Sequence, residues 1–127
     1  MENIIALYDN LGPPNPPEVI KESWEKLQYL YQQKSIIQVL FQIYDSSNVP
    51  FHKFHALFGI HSSLIQSYIH YSIEELSLIQ AAIVNSYIKE PDNFFKSKCV
   101  DIICFLLNQT KQSWTQLDDV IFYHQPN

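Results

Sequence analysis

Residues 91–107 read PDNFFKSKCVDIICFLL, from Pro91 to Leu107. Phe95, Cys99, Ile102, Ile103 and Leu106 recur at spacings of three and four, which places them on one face of a helix. A half-buried strand would alternate instead. Pro91-Asp92 punctuates the chain before them, and Asp92 or Asn93 stands where a helix cap belongs. The same period runs upstream. Ile20, Trp24, Leu27 and Tyr31 share a face from Glu18 onward, with Glu18, Glu22, Glu25 and Lys26 on the other side. After the polar break Gln32–Ser35, Ser35 can cap a second helix carrying Ile36, Val39, Leu40 and Ile43. Pro50 opens a third, with Phe54, Leu57, Phe58, Leu64 and Ile65 along its face and Gly59 as its weak point. Ser72-Ile-Glu-Glu75 has the form of a capping box. The helix it starts carries Leu76, Ile79, Ala82, Ile83 and Tyr87. A polar turn at 109–113 precedes a sixth helix, predicted over Trp114–Phe122.

Before all of these, residues 12–17 read GPPNPP, and four prolines in six residues cannot continue a helix. Residues 1–16 are therefore read as a short N-terminal helix and a proline-rich linker, and 17–127 as the helical body. The expected core comprises Trp24, Leu27, Leu40, Phe54, Leu57, Ile79, Ile83, Ile103 and Leu106. The fold class is all-α. With about 35–40 residues per helix pair, the text fits an α-solenoid, and a single helical bundle would read the same way.

Composition narrows function. The chain has 127 residues, 46% apolar and 17% charged. That is too apolar for disorder, and its longest apolar run falls far short of a bilayer, so no membrane association is expected. Only 2 glycines leave no room for a phosphate-cradling loop. Net charge is −5 and every one of the 8 basic residues is a lysine. With no arginine fork, direct DNA reading is not expected. Cys99 and Cys104 lie about 140° apart on a helix, which suits small core residues better than a disulfide or a shared metal edge. His52 and His55 lack a third converging ligand, so neither metal nor cofactor is expected. No nucleophile motif occurs, and the adjacent acids Glu74-Glu75 and Asp118-Asp119 suit helix starts better than acid–base pairing. The chain is read as a non-enzyme. Lys96 and Lys98, early in their helix, are read as solvated cations.

The order of segments resembles the N-terminal HEAT repeats of karyopherin-β exportins, most nearly the exportin-T branch that carries tRNA. Phe51–Ile65, with Lys53, Phe54, Ala56 and Ile60 at the motif positions, looks like the outer helix of a second repeat. Leu76–Ile88 looks like its inner helix. Pro91–Leu107, followed by Trp114 and Asp118-Asp119, resembles the third repeat. Trp24–Tyr31 and Ile36–Tyr44 serve as the first.

The resemblance implies about three HEAT-like antiparallel helix pairs and a role in nuclear export, shuttling between nucleus and cytoplasm. Its partner would be a Ran-type small GTPase in the GTP form, and tRNA cargo would be held only by a longer receptor. Inner helices at Ser35–Tyr44 and Ile73–Lys89 would line the concave face. Their polar residues Gln38, Gln42, Asn85 and Lys89 are the partner-contact candidates. The C-terminal Tyr123-His-Gln-Pro-Asn127 lacks the polar face of a terminal repeat, so further helix pairs are expected beyond it. The alternative is a stand-alone helical adaptor that takes a partner helix or peptide in its groove.

Overall fold

Proline and the capping residues set the helix starts. Pro17 and Pro50 occupy first-turn positions, where the missing N–H is not needed. Ser72 and Glu75 form the reciprocal capping box: the Ser72 hydroxyl accepts from the Glu75 amide at 3.1 Å, and the Glu75 carboxylate accepts from the Ser72 amide at 2.8 Å. Asp92 accepts from the amides of Phe94 and Phe95. Ser35 departs from expectation and makes no side-chain cap. The turn before it already closes on itself. The amide of Ile36 donates to the Gln33 carbonyl and that of Ile37 to Lys34, so these donors are satisfied by backbone.

A computed structural model describes residues 1–110. They form six α-helices: α1 (Glu2–Asp9), α2 (Pro17–Tyr31), α3 (Ile36–Ser46), α4 (Pro50–Ser67), α5 (Ile73–Lys89) and α6 (Asn93–Thr110). A short 3-10 turn, Tyr68–His70, follows α4. No strand occurs among the described residues, so the all-α class holds. The expected helix at Trp114–Phe122, with Asp118 and Asp119, lies outside the described residues. The helices fall into two compact units, Met1–His70 and the part of the chain from Tyr71 onward. This division lies inside the stretch read from sequence as one run of repeats.

In the first unit α3 and α4 form the most extensive pair, and α1 packs on both α2 and α4. The N-terminal helix is thus integral to this unit despite the prolines behind it. Asn15 anchors the proline-rich turn by donating to the carbonyls of Asp9 and Gly12. The core holds Tyr8, Leu27, Tyr31, Leu40, Phe41, Ile43, Ala56, Leu57, Ile60 and Leu64. Helix α3 is buried over most of its girth, leaving Gln38, Gln42 and Asp45 as a polar strip.

In the second unit α5 and α6 pack as a hairpin across the short link at Glu90–Asp92. Ile79, Ile83, Val84, Cys99, Ile102, Ile103 and Leu106 are buried. Lys96 is not the solvated cation its position suggested. Its Nζ donates to the Tyr87 carbonyl at 2.7 Å and sits 4.3 Å from the centre of the Tyr87 ring. It thereby satisfies a carbonyl at the C-terminal end of α5, where the helix dipole favours a cation. Lys98 reaches Asp101 at 4.0 Å and lies over the Phe94 ring.

Two expected core residues face outward. Trp24 is 36% exposed because Ser23, Leu27 and Tyr31 hold the buried face of α2 and Trp24 stands at its margin. Phe54 is also 36% exposed, because Ala56, Leu57, Ile60 and Leu64 hold the buried face of α4. The other seven are buried. Cys104 is exposed, whereas Cys99 is buried as expected.

Candidate functional site

Helix α4 is apolar on two opposite sides. Ala56, Leu57, Ile60 and Leu64 point into the first unit. Phe51, Phe54, Phe58 and Ile65 recur at spacings of three, four and seven on the other side, about 135° away at 100° per residue. Phe58 is 46% and Ile65 54% exposed. The sequence reading merged Phe54, Phe58 and Ile65 with Leu57 and Leu64 into one face. Both sets keep the helical period, and only tertiary packing shows which set turns inward.

The outward stripe is organised. Phe54 and Phe58 stack with centroids 6.4 Å apart, and Trp24 of α2 lies 6.0 Å from Phe58. Phe58, His61, Ser62, Ile65 and Gln66 border a shallow depression of about 160 Å³. No Asp, Glu, Lys or Arg occurs from Phe54 to Ile73. Any complement to this face is therefore apolar rather than ionic.

Behind the stripe, α1 and α4 are joined by side chains that sequence spacing could not connect. The hydroxyls of Tyr8 and Tyr31 lie 2.9 Å apart, and the Tyr8 hydroxyl donates to the backbone carbonyl of His55 at 3.3 Å. The Tyr8 ring stacks on the His55 imidazole, which Phe51 and Phe54 meet edge-on. Burial pushes the Tyr31 phenol up to about 12 and raises that of Tyr8 further, with the neighbouring Tyr31 adding to the effect on Tyr8. Burial, then the nearby His52, lowers the His55 pKa and keeps its ring neutral. His52 itself lies 2.6 Å from the Asp9 carboxylate. Each histidine therefore has a structural role. No group of three or more His, Cys, Asp or Glu suited to a metal occurs among the described residues.

The four partner-contact candidates all stand on the surface. Gln38 and Gln42 lie one turn apart on α3 in the first unit, and Asn85 and Lys89 lie one turn apart on α5 in the second. Each pair shares a helix face, as helix phase predicts. No helix among the described residues is long and apolar enough to cross a membrane. No protein-family model, curated protein or solved structure matches the chain.

Proposed function

We propose that this chain is a helical protein-interaction module without catalytic activity, and that the outward face of α4 receives an uncharged amphipathic helix of a partner protein. The observation that carries this is the aromatic stripe Phe51, Phe54, Phe58 and Ile65 with Trp24 beside it, which from Phe54 onward lies on a segment free of formal charge. Helix α4 is about 27 Å long at 1.5 Å per residue, which accommodates four turns of a partner helix. Aromatic side chains with prearranged rings give contact area at small entropic cost. The test places a photo-crosslinking amino acid at Phe58, at Ile65 and, separately, at Gln38. One and the same protein captured from Phe58 and Ile65, released by Phe54→Ser and absent from Gln38, supports the reading. Capture only from Gln38 refutes it. Truncating a central aromatic anchor should weaken binding by about tenfold or more.

A second reading keeps the export-receptor resemblance. In it the helix pairs continue as a HEAT-like solenoid, and the chain belongs to a shuttling receptor for tRNA whose α3 and α5 meet a Ran-type GTPase in its GTP form. Its support is the ordered resemblance, the exposure of Gln38, Gln42, Asn85 and Lys89, and a net charge of −5 suited to a basic partner surface. Lys89→Glu, or Gln42→Ala with Asn85→Ala, should weaken binding to GTP-loaded Ran and leave the melting temperature nearly unchanged. Equal binding of GDP- and GTP-loaded protein refutes it.

A further inference from the structure

A second recess opens on the first unit, on another side of α2 from Trp24. Leu7 of α1 and Leu30 and Tyr29 of α2 form the walls of an open groove of about 490 Å³, edged by Glu22, Glu25 and Lys26. Trp24 and Tyr29 are five residues apart, about 140° around the helix, so the groove and the aromatic stripe are separate surfaces.

The walls are apolar, and the charge beside them is negative and partly unanswered. Residues 1–31 hold five carboxylates against two lysines. Glu22 is engaged by Lys26 at 3.1 Å. The Glu25 side chain makes no hydrogen bond or ion pair among the described residues. The Tyr29 side chain is 66% exposed and touches no ring, cation or hydrogen-bond partner among them. Glu25 and Tyr29 lie at i and i+4, so the Cβ atoms that carry this carboxylate and this aromatic ring stand roughly 6 Å apart on one face.

That pairing is complementary to a guanidinium. Its plane stacks on a tyrosine ring while its N–H fork meets a carboxylate, and its aliphatic stem lies along apolar surface. Within this chain Lys96 already shows the cation-over-tyrosine half of the arrangement, at Tyr87. We propose that the α1–α2 groove binds a segment of a partner protein that carries an arginine one helical turn from a leucine-like residue, the arginine on Tyr29 and Glu25 and the apolar side chain between Leu7 and Leu30. None of these 127 residues is an arginine, so the same stretch of a second copy cannot supply this occupant.

The test is a titration of the isotope-labelled full chain, followed by NMR, with a short helical peptide bearing leucine and arginine one turn apart. Matched peptides replace the arginine by glutamine or by glutamate. The arginine peptide should shift Leu7, Tyr29 and Leu30. It should bind about tenfold or more tighter than the glutamate peptide and weaken as salt is raised. Glu25→Gln and Tyr29→Ala should each weaken it several-fold with the melting temperature unchanged, since both side chains are exposed. Phe58→Ser should leave it unaltered, because the α4 stripe is a separate surface, so the two proposals fail independently. Equal affinity for the arginine and glutamate peptides, shifts confined to other residues, or no shift at a peptide concentration of roughly 1 mM would overturn the proposal.

Discussion

A methyl group added at Gly59 would stand 2.7 Å from Cε1 of Tyr31 and 2.9 Å from its hydroxyl oxygen. Gly59 is therefore the residue that admits the Tyr31 ring against α4 and lets its hydroxyl reach Tyr8. Two effects oppose each other in Gly59→Ala. Alanine favours a helix interior by about 1 kcal/mol over glycine. Overpacking a filled site costs about 1–3 kcal/mol, and here the displaced group also gives up a buried hydroxyl contact. Clash should win, with a net loss of up to about 2 kcal/mol in a chemical denaturation curve. A gain in stability would show that Tyr31 yields without cost. From the sequence, Gly59 reads only as a weak point in a helix, because its partner lies 28 positions away in another element. The Tyr8, Tyr31 and His55 cluster was hidden for the same reason. The aromatic residues were visible, and nothing local tied them together.

Element boundaries were the most legible feature, since they are written in local chemistry. Pro17, Pro50, the Ser72–Glu75 box and Asp92 each act within one turn of their own position. Helix phase was legible in α6, where the recurrence of Phe95, Cys99, Ile102, Ile103 and Leu106 names the buried set even though Phe94 and Val100 are exposed, and illegible in α4, where the inward and outward sets both keep the period. The α6 phase can be checked through its cysteines. Cys99 is buried and Cys104 exposed, so a thiol reagent should modify one cysteine rapidly and the other only on unfolding. Peptide mapping should find the label at Cys104. Two turns beyond Cys99 along the buried face, Leu106 is fully buried, and Leu106→Ala should cost about 2–5 kcal/mol. Fast labelling at Cys99, or a loss under half a kcal/mol, would require α6 to be turned about its axis. The candidate contacts Gln38, Gln42, Asn85 and Lys89 were legible as surface by the same phase argument. What they touch is a property of a partner, on which intrachain periodicity is silent.

At the scale of the whole molecule, stability should depend on pH at both ends of the range, through groups gathered in one place. His55 is packed among Tyr8, Phe51 and Phe54, with His52 and Asp9 as the nearby titratable pair. In the unfolded chain its imidazole takes up a proton near 6.5, whereas the folded one resists to lower pH. Between those two values the unfolded state binds more protons, so stability falls as pH drops below about 6.5 and levels once folded His55 itself is protonated. Tyr8 and Tyr31 act at the other end. Their unfolded phenols ionise near 10, while the folded Tyr31 holds its proton to about 12 and Tyr8 beyond that. There the folded state retains protons that the unfolded state has released, so stability falls as pH rises above 10. Denaturation midpoints should form a plateau between these limits. His55→Phe should flatten the acid limb and leave the alkaline one, and Tyr8→Phe should reduce the alkaline limb and leave the acid one. An acid limb of full size in His55→Phe would assign it to other groups and remove the neutral imidazole from the packing of α1 on α4.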